Sequence, residues 1–177
     1  MRTDDFWAVI GRATADRPAT PGEVAERAVA ELVTRDPEEI VAWGRHLDKV
    51  MAASGTEDLW AAAYVIHGGC GEEGFDAFRG WLIAHGRDAV ARSVKSPDSL
   101  ANVAVIKASA ETGAVFEAPE VLTIAAEAYR EATGEEMPAE EHPKTRPDVA
   151  DLWDFDNEEE MQRRLPKLSA LFLAEPE

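Results

Sequence analysis

Cysteine is all but missing from this chain: Cys70 is the only one in 177 residues, so neither an intrachain disulfide nor a zinc site built from several thiolates is available. That usage fits a reducing compartment. Long apolar runs are missing too, and none approaches the roughly 18 residues that a membrane-spanning helix needs. The start, Met1-Arg2-Thr3-Asp4-Asp5-Phe6-Trp7, turns acidic at once and lacks the basic stretch and apolar run of a signal peptide. The expectation is a soluble, cytoplasmic protein with no membrane partner. Basic residues are scarce: 18 Lys and Arg stand against 35 Asp and Glu, a formal charge of −17, with acids spread from Asp4 to Glu177. Binding to a phosphate backbone draws its affinity from Lys and Arg that release counterions, so no nucleic-acid partner is expected. Such a charge suits solubility, or electrostatic pairing with a basic partner protein. Strand signals are also absent. No segment holds a period of two with β-branched enrichment, and neither Asn-Gly nor Asp-Gly occurs.

Helix signals, by contrast, recur along the chain, and the expected fold class is all-α, a single compact multi-helix domain over residues 1–177. Thr3 is placed to cap a helix from Asp4 to Arg12 with Phe6, Ile10 and Ala13 on one face. Thr20-Pro21-Gly22-Glu23 sets a capping threonine, a proline at the first helical position and a glutamate at the third; Asp36-Pro37-Glu38-Glu39 repeats the arrangement. Val24, Ala28, Val29 and Leu32, then Ile40, Trp43, Leu47 and Val50, mark the two amphipathic helices that follow. Ser96-Pro97-Asp98-Ser99 predicts a helix carrying Leu100, Val103, Val105 and Ile106. Ala118-Pro119-Glu120 predicts another with Leu122, Ala125, Ala126 and Tyr129 on one face. Residues 135–154 hold Pro138, Pro143 and Pro147 among charges and show no period, which predicts an irregular connecting segment pinned at its end by Trp153 and Phe155. Residues 156–173 predict a C-terminal helix, bent or broken at Pro166.

The unusual side chains gather between Glu57 and Arg87, which hold the cysteine, two of the five tryptophans, two of the four histidines and six of the twelve glycines. With Ser54 or Thr56 as cap, the run from Leu59 to Ile66 carries no charge, and a helix apolar on every side is covered on every side. It is expected to be the buried central element. Gly68-Gly69 stops it, and Glu72 and Glu73 sit where a new helix dipole favours carboxylates. The next helix carries Phe75, Phe78 and Leu82 on one stripe, flanked by Trp81.

Phe6-Trp7, the run Leu59-Trp60-Ala61-Ala62-Ala63-Tyr64-Val65-Ile66 leading into Gly68-Gly69-Cys70, and Gly74-Phe75-Asp76-Ala77-Phe78-Arg79-Gly80-Trp81-Leu82-Ile83 together resemble a bacterial family catalogued as a domain of unknown function, number 4240 in that series. The likeness is densest from Asp58 to Gly86 and extends from Met1 to Tyr129. It implies a helical bacterial protein and supplies no chemistry.

Several constellations remain to be weighed on chemistry. His67 and Cys70, three residues apart, form a candidate metal pair because imidazole and thiolate both ligate zinc; a closed site needs four donors. In the ordinary case such a histidine bonds locally and the cysteine acts as a small hydrophobe. Cys70 is also a candidate nucleophile ahead of a helix N-terminus, with His67 or His85 as base and Glu73 completing the candidate catalytic set. The glycines at 68, 69, 71 and 74 do not make a phosphate loop, since a helix precedes them and glutamates follow. Arg79, between Phe78 and Gly80, calls for a carboxylate. Either Asp76 or Asp58 answers it as a structural ion pair, or it anchors a ligand in a cleft beside Trp60, Tyr64 and Trp81. The candidate binding set is Asp58, Trp60, Tyr64, His67, Cys70, Asp76, Arg79 and Trp81, and no cofactor is expected. The reading leans away from an enzyme, towards a cytoplasmic interaction or regulatory module that binds a basic protein, as an acidic immunity-type inhibitor would. The alternative is an enzyme, or a small-ligand or metal-binding protein, centred on the turn from His67 to Cys70.

Overall fold

Local capping chemistry decides where each helix begins. The computed structural model describes residues 1–15 and 18–174, and among these it has ten α-helices, three 3-10 turns and no strand. Helix α1 (Thr3–Thr14) starts one residue earlier than expected, because Arg2 takes the cap position and its N–H is held by the Asp5 carboxylate at 2.8 Å. Helix α2 (Pro21–Leu32) has the reciprocal box: Thr20 Oγ1 accepts from the Glu23 N–H, and the Glu23 carboxylate accepts from the Thr20 N–H. Helix α3 (Pro37–Ser54) begins on its proline without a side-chain cap from Asp36. Of the two possible caps for α4 (Glu57–His67), Thr56 serves, accepting from the Leu59 N–H; Ser54 bonds back to the carbonyls of Val50 and Met51.

Helix α4 has almost no outward face. Residues Leu59 to Ala63 are at most 2% exposed, and only Tyr64 among Leu59–Ile66 is less than fully buried. The centre is nevertheless shared. Helix α5 (Glu72–Ala84) is buried without interruption from Ala77 to Ala84, Arg79 included. Its small residues make this possible: at Gly80 the backbone of Ala118 comes so close that an added Cβ would lie 2.3 Å from the Ala118 oxygen, and the Ala118 N–H donates to Ala77. Between the two helices Gly68 (φ 67°) and Gly69 (φ 129°) take left-handed backbone, which ends α4 and turns the chain.

Beyond α6 (Arg87–Lys95) the chain departs from expectation. The helix predicted after Ser96 is a 3-10 turn (Pro97–Asn102), then extended backbone at Val103, then α7 (Ala104–Thr112). Asp98 is used elsewhere, accepting from the N–H groups of Lys167 and Leu168, and Val103 and Val105 are exposed instead of facing the core. Likewise a 3-10 turn (Pro119–Thr123) precedes α8 (Ile124–Thr133), and its three residues per turn shift the phase. The buried face is therefore Val121, Ile124, Ala125 and Ala128, with Leu122 and Tyr129 only half buried. The C-terminal stretch divides at Pro166 into α9 (Glu158–Arg164) and α10 (Pro166–Phe172).

The segment between α8 and α9 contains one 3-10 turn, Val149–Asp151, and is fastened along its course. Glu140 pairs with Arg45, His142 with Asp48, and the Trp153 indole with Asp58. At Gly55 the Thr145 carbonyl lies where any side chain would sit, 2.1 Å from an added Cβ. No helix among the described residues is long and apolar enough to cross a membrane.

Candidate functional site

Most of the residues singled out by sequence lie on or beside the turn between α4 and α5, and the fold already uses most of them. The Trp60 indole donates to the Cys70 carbonyl at 2.9 Å and stacks on Phe75, fixing the turn to the helix that precedes it. Cys70 is half buried against Gly74. Burial, and after it the carboxylates of Glu117 and Asp76, push its thiol up to about 11. That is the reverse of an activated nucleophile, which needs a lowered value.

His67 Nε2 accepts from the Phe116 N–H at 3.1 Å, so the ring is neutral with its proton on Nδ1. Its ring stacks on Phe116 and meets the edge of Phe78. Burial lowers its pKa below the ordinary 6.5, with Glu117 opposing. One ring nitrogen of His67 is therefore already in use, and no group of three or more His, Cys, Asp or Glu poised for a metal ion occurs among the described residues. Glu73 stands exposed in the first turn of α5, joined to neither His67 nor Cys70.

Arg79 is completely buried and fully occupied. Its guanidinium pairs with Asp76 and donates to the carbonyls of Met51 (2.6 Å) and Thr145 (2.5 Å), while lying 4.2 Å over the Phe75 ring. Burial pulls it down to about 10 against the upward push of Asp76, which leaves it charged at neutral pH. Asp76 also pairs with Arg146, which reaches on to Glu72. Of the two carboxylates considered for Arg79, Asp76 is the partner; Asp58 is turned to Arg164 and Trp153. The Tyr64 hydroxyl donates to Asp156 at 2.6 Å, which raises its pKa. Trp81 packs away from the turn against Phe116 and His85. The candidate residues are thus spent on one another and on the surrounding fold, with Phe75 joining the Trp60–Cys70 contact to the Arg79–Asp76 pair, and they do not converge on one cleft.

Among the described residues, polar groups without a protein partner also line a groove and a cavity away from this turn. A groove of about 500 Å³ runs between α2 and α8, with Ala25, Val29 and Ala30 along it and Glu26, Glu120, Glu127 and Glu131 around them. The Thr123 hydroxyl donates to Glu127; among the described residues no cation answers Glu26, Glu120 or Glu131. A sequence signal existed here, because Glu127 and Glu131 are like charges four apart on one helix, an arrangement that costs helix stability. The second place is a cavity of about 470 Å³ between α5 and α6, closed on one side by the 3-10 turn at Pro97–Asn102. Of its lining, the sequence singled out Trp81 as a candidate binding residue and His85 as a candidate base, and carried no sign of Arg92 or Asn102.

A family model described as "Protein of unknown function (DUF4240)" matches residues 1–131 of the chain. No curated protein and no solved structure matches it.

Proposed function

The chain belongs to the DUF4240 family of proteins of unknown function, and from that premise we propose that it is an interaction module whose α2–α8 groove takes a basic segment of a partner protein. The observation that carries the reading is the groove itself, an apolar strip of Ala25, Val29 and Ala30 rimmed by four carboxylates and by no lysine or arginine. Complementary potentials steer encounter and select partners, and the overall charge of −17 extends the same field outward. A cationic helix or strand with small apolar residues matches both the strip and its rim. Inhibition of a basic protein, as by an immunity-type protein, is one role that such a module fills. The alternative centred on the His67 to Cys70 turn has no comparable support, since the groups it would use are held by Phe116, Gly71 and the buried ion pair.

The test is retention of partners at low salt from the protein's own host, with wild type beside a Glu26→Lys/Glu127→Lys/Glu131→Lys variant and a control reversed at Glu158 and Glu159. The expected outcome is a basic protein retained by wild type and control, released as salt rises, and lost with the groove variant. Retention unchanged by groove reversal, or no retained protein at all, would end the proposal.

A further inference from the structure

We infer that the cavity between α5 and α6 is a binding site for a small monocarboxylate with an aromatic or branched apolar body. At about 470 Å³ it falls within the roughly 300–1,000 Å³ of small-molecule sites. Trp81, Leu82, Leu100 and Val103 give it an apolar lining, and Val103 is one of the few large apolar side chains left exposed. Five polar residues share this lining, His85, Arg92, Ser93, Ser99 and Asn102, and the Ser93 hydroxyl is spent on the Ala89 carbonyl. Arg92 offers a guanidinium with no hydrogen bond or ion pair among the described residues, and the Asn102 amide is likewise free. His85 donates from Nδ1 to the Trp81 carbonyl at 2.7 Å, which leaves Nε2 available. Among the described residues no carboxylate lines the cavity.

The charge here runs against that of the chain. From residue 87 to 107 Arg87, Arg92, Lys95 and Lys107 stand against Asp88 and Asp98; Arg87 is paired with Asp4, and the Asp98 carboxylate is spent on the start of α10. A guanidinium presents a planar fork that one carboxylate fills with two parallel hydrogen bonds. A phosphate dianion would want further cations and would meet a repulsive field from a −17 protein. An apolar wall with a single unanswered fork therefore selects one carboxylate on a hydrophobic body. The site stands apart from the α2–α8 groove, and neither depends on the other.

The test is titration at low ionic strength, followed by amide chemical shifts in the intact protein, with phenylacetate and 3-methylbutanoate against phenylacetamide and phenyl phosphate. The two acids should shift amides of residues 81–103, with phenylacetamide and phenyl phosphate at least about tenfold weaker, the factor that 1.4 kcal/mol represents. Arg92 is exposed, so Arg92→Gln should keep the wild-type spectrum and weaken the acids by a similar factor, and Val103→Trp, which fills the cavity, should abolish binding. No shifts by either acid up to about 10 mM, equal binding by Arg92→Gln or by phenylacetamide, or tighter binding of phenyl phosphate would each overturn the inference.

Discussion

At the turn between α4 and α5, the polar side chains that the fold buries are answered by the fold: Arg79 by Asp76 and two carbonyls, the His67 acceptor by the Phe116 N–H, the Trp60 indole by Cys70. On the far part of α5, where α6 packs on it, Arg92, Asn102 and one nitrogen of His85 are answered by nothing among the described residues. Rarity does not separate the two regions: the first holds the only cysteine and His67, and the second holds His85 and one of the chain's two asparagines. The difference teaches that a rare residue type marks no ligand site by itself, whereas an unspent donor beside an apolar wall marks where a ligand gains something on arrival.

Breaking this comparison starts with its strongest commitment. Arg79→Met should cost about 3 kcal/mol in denaturant unfolding, since removing one partner of a buried pair strands the other. A loss under about 1 kcal/mol would show that Arg79 is not the buried tie described. Cys70 comes next. With its thiol pushed from 9.0 up to about 11, labelling of the native protein near pH 8 should run about a hundredfold slower than in denaturant, and native labelling at the unfolded rate would reopen the case for a reactive thiol.

His67→Phe should cost about 1–2 kcal/mol by orphaning the Phe116 N–H, and it should also flatten part of the pH profile. Folding holds the His67 pKa below 6.5, so the unfolded chain binds the proton first. The contribution of His67 is therefore complete above pH 6.5 and is lost as pH falls towards the lower folded value. The depressed carboxylates Glu31, Glu140 and Glu160 act separately, from 4.5 downward. Wild type should lose stability just below pH 6.5 where His67→Phe does not; parallel profiles would remove His67 from that role. The smallest effect is expected across α5, where Arg92→Gln should change stability by less than about 0.5 kcal/mol. A larger loss would mean that Arg92 has structural work and sharpen the contrast the wrong way.

The fold was legible in the sequence at most places where the signal is local, with Thr3 and Asp36 passed over as side-chain caps. Thr20 with Glu23, Pro21, Pro37 and the Gly68-Gly69 stop act through neighbours in the chain, and the uncharged run from Leu59 to Ile66 states its own burial. What stayed hidden depends on contacts from far away. Asp98 reads as part of a helix start until α10 arrives to take its carboxylate, and the face of α8 turns because a 3-10 turn precedes it. The candidate site was half legible for the same reason. Asp76 at three residues from Arg79 was readable as its partner, while Thr145 and Phe116, which complete the commitments of Arg79 and His67, lie 66 and 49 residues distant. Free groups such as Arg92 have no sequence signature, because being unpaired is a property of the finished structure.

The close passage of Thr145 over Gly55 has a consequence for the order of folding. The bond from Arg79 to Thr145 closes a loop of 66 residues, and its acceptor lies beyond the 1–131 stretch that the family model covers. Loop-closure entropy is spent before such a contact rewards it, so the clasp is expected to form late on refolding. Until it closes, the matched stretch carries a buried cation with part of its coordination missing. A chain cut after residue 131 should accordingly exchange amide hydrogens faster throughout the centre of α5 than the whole protein does, even though no residue of α5 has been altered; equal protection in the two would place the clasp outside the folding unit.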